Sequence, residues 1–224
     1  KSSLNDDILV FMISSTILAI IFALVSIAIS ITFHEFMHGY VSKLLGDTTA
    51  EDSGRLSLNP IKHIDPFATV IFPIALMLMG LPPFGAAKPV PVDFARLKYE
   101  EFGGALVGVA GPLTNLVMAI GVGFILRLSG NNLNDIISAF LEVFVSINIA
   151  FFVFNMIPFP PLDGSRVLYA FAPAPIQQFM QSIERFGLLA IGIFILVFIP
   201  LISPFLRAVN NWILFHITGM PINY

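Results

Sequence analysis

The sequence has 224 residues, 57% of them hydrophobic and only 11% charged, with a mean hydropathy of +0.90 and a net charge of −3. Soluble domains carry roughly a quarter charged residues, so the composition indicates an all-α polytopic membrane protein; continuous apolar runs replace the short alternating segments of a transmembrane β-barrel. No basic excess points to nucleic acid as a partner, and the absence of cysteine excludes thiol catalysis and disulfides.

No polar stretch approaches domain length, so residues 1–224 are expected to form a single membrane-embedded domain. Asp6 and Asp7 precede the first apolar run, where acidic residues favour a helix start. From Ile8 through Phe33 no residue is charged. About 20 residues cross a bilayer core, so this run spans. At its far end stands His34-Glu35-Phe36-Met37-His38. Residues four apart share a helix face, so both imidazoles can point at one metal ion. Neutral imidazoles suit zinc, and the adjacent Glu35 can take a proton from activated water rather than bind the metal. Lys43, Arg55, Lys62, Lys88, Arg96 and Lys98 all precede the next clear span, which places the motif end at the cytoplasmic side.

Gly46 to Asp65 is polar and rich in turn signals, including Asn59-Pro60 and Asp65-Pro66. Arg55 to Leu58 alternates as a short strand would. His63 stands in this loop; a solvated histidine is the favoured reading over a role at the metal. Phe67 to Ala87 is uncharged but interrupted by Pro73, Pro82 and Pro83, more breaks than a regular spanning helix tolerates easily. In Gly85 to Val92, Pro89 and Pro91 remove alternate backbone donors, which fits an edge strand. Strand alternation would turn the Val90 N–H away from the proline nitrogens, toward a partner such as an extended substrate. Gly85, Lys88, Val90 and Val92 are the candidate substrate-binding positions. A rigid linker would suit the same prolines.

Phe102 to Leu126 is the next clean span and contains Gly111-Pro112-Leu113-Thr114-Asn115. Small residues let helices approach. Asn115 should face protein or a cavity, in a structural or a catalytic role. A further helix from Asp135 reaches Asn155-Met156-Ile157-Pro158-Phe159-Pro160-Pro161-Leu162-Asp163-Gly164, where three prolines must break it. Phe186 to Leu206 reads as a last span, followed by an apolar tail with the interface-type Trp212.

Catalytic zinc usually takes three protein ligands. Depth selects the third. If the first helix runs inward, Phe102–Leu126 runs out and the Asp135 helix runs in, so Asp163 lies level with His34 and His38. Glu142 lies about 30 Å further out at 1.5 Å per residue. The same parity forbids a single crossing by Phe67–Ala87, which is therefore expected to be re-entrant.

The three motifs, in this order, resemble the site-2 protease family of intramembrane zinc metalloproteases, in a compact core form without PDZ or CBS domains. The resemblance implies that His34, His38 and Asp163 hold one zinc per chain and that Glu35 is the catalytic base. It also implies that Asn115 and Asn155 help hold substrate or the oxyanion. Gly85 to Val92 is similar to the family's membrane-associated β segment, which presents an edge to the substrate. The expected activity is endoproteolysis within or near transmembrane segments of membrane-anchored proteins or peptides, in the lipid bilayer. A metal transporter would need ionisable residues along a path through several helices, and here they cluster at one depth. A non-catalytic binding relative would have lost Glu35 or Asp163, and both are present.

Overall fold

The structure, a computed structural model, describes residues 2–80 and 85–219. Helix α1 (Ser2–Leu44) begins ahead of Asp6 and runs unbroken through the apolar stretch and the paired histidines. Its Ser15–Leu44 portion is long and apolar enough to cross a membrane. The outer side is greasy, with Ile17, Ile20, Ile21 and Leu24 exposed. The inner side carries a polar stripe at four-residue spacing, Ser26, Ser30, His34, His38 and Ser42, all buried. In lipid, polar side chains are tolerated only where they meet protein, and this stripe meets the next two long helices.

A short helix α2 (Thr49–Asp52) follows. The two Asx-Pro pairs read as loop signals turn out to open short helices. Asn59 caps a 3₁₀ turn over Pro60–His63 by accepting from Ile61 N at 3.0 Å. Asp65 caps a π-helical turn over Pro66–Ile71 by accepting from Phe67 N and Ala68 N at 2.9 and 2.8 Å. Proline needs no donor in a first turn, and the preceding Asn or Asp satisfies the N–H groups that remain. The π turn runs into α3 (Phe72–Leu78), too short a helix to span. Past it the chain comes back to its own starting point: Ala86 N donates to Ala68 O at 3.1 Å and Lys88 N to His63 O at 2.9 Å. Pro82, Pro83 and Phe84 lie outside the described residues.

Among the described residues no strand forms, either over Arg55–Leu58 or over Gly85–Val92. The physical reason is visible in the bonding. The segments are joined by a side chain instead of a ladder, since Arg55 Nη2 donates to Lys88 O at 2.8 Å and Pro89 O at 3.3 Å. Pro89 and Pro91 have no N–H to give to a ladder.

Helices α4 (Glu100–Ser129) and α5 (Asp135–Asn155) are the other two candidate spans. Asn134 caps α5 by accepting from Ile136 N at 2.9 Å. The chain then turns through the prolines, with a cis peptide between Pro160 and Pro161, into α6 (Gly164–Phe171) and α7 (Ala174–Glu184). The single span expected over Phe186–Leu206 is instead two helices, α8 (Leu188–Val197) and α9 (Ile199–Thr218). Pro200 explains the restart: it sits in the first turn of α9, where its missing N–H loses no helical bond. A fourth crossing would have to come from α7 and α8 together, which are bent by 98°. Ala119, Leu126, Val145 and Ile149 form an apolar core between α4 and α5, covered by Ile213, Leu214 and Ile217 of α9.

Candidate metal centre

The inward face of α4 shapes the centre. Gly104, Val107, Gly108, Gly111 and Asn115 recur at three- and four-residue intervals and are all buried. Gly111 faces both histidines: a Cβ built there would lie 2.4 Å from His38 Nε2 and 2.7 Å from His34 Nε2. Gly108 does the same for the start of α6, where a Cβ would stand 2.9 Å from Asp163 O. These two glycines let α4 pass close behind the cluster.

His34 and His38 project from one face of α1 with their Nε2 atoms 3.0 Å apart. Asp163 Oδ2 lies 3.1 Å from His34 Nε2 and 3.4 Å from His38 Nε2. Asp163 occupies the N-cap of α6 yet makes no capping bond, so its carboxylate is left for the imidazoles. A tetrahedral ion held at about 2.0–2.1 Å would separate its ligands by about 3.3–3.4 Å. The donor set, the separations and the cradle at Gly111 therefore fit zinc. Among the described residues, this trio is the group of histidine and acidic side chains able to hold an ion. The geometry agrees with the depth argument for Asp163; Glu142 is exposed on α5 and takes no part.

Both imidazoles are oriented from behind. His38 Nδ1 donates to Val107 O at 2.7 Å, and His34 Nδ1 donates to Asn115 Oδ1 at 2.6 Å. Each bond leaves Nε2 as the lone-pair atom facing the cluster. Asn115 is fully buried, and its Nδ2 is engaged by Asn148 Oδ1 at 2.9 Å and Ser30 O at 3.3 Å. The amide expected to touch substrate or an oxyanion thus spends both its oxygen and its nitrogen inside the protein. Asn155 Nδ2 donates to Phe151 O of its own helix at 3.0 Å. Asn148 was missed from sequence, although it lies on the α5 face that carries Phe144 and Val145 inward.

On the other side, Glu35 is half-buried and its Oε2 accepts the Val90 N–H at 2.8 Å. The Val90 N–H, between two prolines that have none, is turned inward. What it meets is the carboxylate of Glu35 and not an open edge. The rest of the segment is tied down as well. Asp93 N donates to Asp47 Oδ2 at 2.8 Å, and Asp47, itself fully buried, also accepts from Ser42 Oγ at 2.8 Å and Thr49 N at 3.0 Å. Burial opposes the Asp47 charge, but the bonds from Thr49, Asp93 and Ser42 outweigh it and hold the carboxyl below its usual range. His63 is neither solvated nor at the metal. It is 2% exposed, with Nε2 donating to Ser57 O at 2.7 Å, and it supports the segment through its own carbonyl.

The sequence profile of peptidase family M50 matches residues 22–199. The chain belongs to that family, the site-2 proteases. Among its relatives is the Bacillus subtilis (strain 168) protein named "Putative zinc metalloprotease YwhC", 35% identical over 80% of this chain and 80% of the relative. "Putative zinc metalloprotease Rip2" of Mycolicibacterium smegmatis is 26% identical over 82% of this chain and 66% of its own length. The protein of that name from Mycobacterium tuberculosis H37Rv is 27% identical over 86% and 72%. No solved structure matches the chain significantly. The matched span takes in every residue of the M50 cluster together with Glu35, Asn115 and Val90.

Proposed function

We propose that this M50 protein is an intramembrane zinc endopeptidase cutting peptide bonds within or near the transmembrane segments of membrane-anchored substrates. The observation that carries the reading is the convergence of His34, His38 and Asp163 beside a carboxylate, Glu35, that is not part of the trio. When bound there, zinc supplies Lewis acidity toward water and toward the scissile carbonyl. Glu35 takes the proton from water, on Oε1 while Oε2 keeps the Val90 bond, and passes it to the leaving amine nitrogen. Asn115 and Val107 O act as positioning groups behind the imidazoles. Asn155 is the amide assigned to substrate or oxyanion.

Phe67–Ala87 is a re-entrant segment in this reading, supported by the bonds Ala86 N to Ala68 O and Lys88 N to His63 O. The Lys88–Val92 backbone lies along the substrate, beside Gly85. Since Val90 N–H is on the base, capture by main-chain pairing rests on the other backbone groups of the segment. The centre faces the cytoplasmic side, as the run of lysine and arginine between α1 and α4 suggests.

The test uses the full chain in detergent or vesicles with a transmembrane substrate. Wild type and Glu35→Gln should each hold one zinc, while cleavage by the variant falls on the order of 10²–10⁴-fold. Undiminished cleavage by Glu35→Gln would overturn the mechanism. Zinc flux across vesicles without cleavage would favour a transporter. Single cysteines at Asp52 and Arg96 should react with an impermeant reagent from the same side, and labelling from opposite sides would refute the re-entrant segment.

A further inference from the structure

The carboxamide of Asn115 can be placed two ways, and only one serves the metal centre. With Oδ1 toward His34, the imidazole carries its proton on Nδ1 and presents Nε2 as a lone pair. Turned over, the amide nitrogen would donate to Nδ1, the proton would move to Nε2, and the ligand atom would be lost. His34 alone cannot select, because either arrangement gives it a hydrogen bond. The selection is made one residue further back.

Asn115 Nδ2 meets Asn148 Oδ1 at 2.9 Å and, at the longer distance of 3.3 Å, Ser30 O. Asn148 in turn presents its oxygen because its Nδ2 donates to Phe144 O at 2.9 Å, one turn back on α5. A backbone carbonyl can only accept. Reversing Asn148 would set its oxygen against the Phe144 oxygen and its nitrogen against the Asn115 nitrogen. Both amides are fully buried, so bulk water offers neither an alternative partner. The direction of the relay toward His34 is therefore set by backbone carbonyls that can only accept: Phe144 O through Asn148 at the shorter distances, and Ser30 O at the longer one.

We infer that Asn148 is a positioning residue for the metal centre: acting through Asn115, it holds His34 in the Nδ1–H tautomer and so keeps Nε2 available to the ion. This goes beyond the protease reading and does not need it, since any function using the His34 site would depend on the same relay. A merely structural Asn148, joining α4 to α5, would change stability and leave the His34 ring alone.

The test is made on the full chain in detergent micelles, with ¹⁵N-labelled histidine. The imidazole nitrogen shifts of the metal-free protein report the tautomer, and competition with a chelator reports zinc affinity. Wild type should show His34 in one tautomer. Asn148→Leu, which suits an apolar helix interior, should show a mixture and bind zinc roughly 10–100-fold more weakly, as expected for loss of an outer-shell partner. His38, held by Val107 O, should keep its tautomer and serves as the internal control. Asn148→Thr, whose hydroxyl donates to Phe144 O as Thr114 does to Ala110 O and accepts from Asn115 Nδ2, should lose less in both readouts. Adding Asn148→Leu to Asn115→Leu should cause no further loss. A single wild-type tautomer and unchanged zinc affinity in Asn148→Leu would overturn the assignment, whatever its melting temperature. So would equal losses in the threonine and leucine variants. If the leucine variant does not fold, Asn148→Ala carries the same two readouts.

Discussion

Behind His34 and His38 the supporting groups come from the interiors of two long helices; in front of them they come from an irregular loop. The rear wall consists of Val107 O, Gly111, Asn115 and Asn148, all on α4 and α5 and all buried. The front consists of Lys88 to Asp93, held by side chains reaching out from elsewhere: Glu35, Asp47 and Arg55. Helix-borne groups are fixed by many cooperative backbone bonds, whereas a loop held by a few side chains opens at a smaller free-energy difference. The imidazoles of His34 and His38 are thus pre-oriented on the rigid side. Glu35, the base in the proposed reading, sits on the looser side.

The contrast can be broken most severely from the rear. Gly111→Ala drives a methyl group into both imidazoles, within 2.4 Å of His38 Nε2. Metal analysis of the purified variant should find the zinc lost and cleavage abolished, with helical content retained. A zinc-loaded Gly111→Ala protein would mean that α4 can withdraw and that the rear wall is not rigid.

Val90→Pro attacks the front. It removes the donor to Glu35 Oε2 and leaves the three ligands in place. A hydrogen bond to a charged group contributes about 1.5–3 kcal/mol, so cleavage should fall roughly 10–100-fold at unchanged zinc content. Both a transmembrane substrate and a short extended peptide should be affected, because the lost bond serves the base. Unchanged turnover of both would leave Gly85–Val92 as a linker only.

The smallest effect is expected one step further out, at Asp47. Asp47→Asn keeps the shape but weakens the bonds that anchor Asp93, at a cost of about 1 kcal/mol at neutral pH. Because the folded carboxyl is held below its usual range, the charge stabilises the protein fully above the ordinary value of about 4. That contribution fades as pH falls through the lowered folded value. The melting-temperature gap between wild type and Asp47→Asn should therefore close on acidification below about pH 4. A gap that widens there would show that Asp47 is not ionised in the folded state.

Much of the centre was legible from local spacing. H-E-x-x-H on an apolar run places two imidazoles on one helix face whatever else the chain does, because the helical period is a property of the backbone. Counting crossings then selected Asp163 over Glu142, since a spanning helix has a fixed length for a bilayer of fixed thickness. The prolines after Asn155 foretold where α5 ends, whereas Pro112 and Pro204 lie inside helices, and Asn59 and Asp65 converted two expected turns into capped helical starts. The division of Phe186–Leu206 into two helices was less visible, because hydropathy reports that residues are apolar and not where a helix ends.

What the sequence determined by itself was therefore the membrane class and the residues that converge, His34, His38 and Asp163 with Glu35 next to the first of them. Only the tertiary structure decided which way the polar groups between them point. Whether Val90 N–H meets a substrate or Glu35, and whether Asn115 faces an oxyanion or His34, depends on which segment lies opposite. Those partners are 55 and 81 residues away along the chain. Hydrogen-bond direction is a property of a pair, and no period or composition in one segment carries information about the acceptor waiting on another.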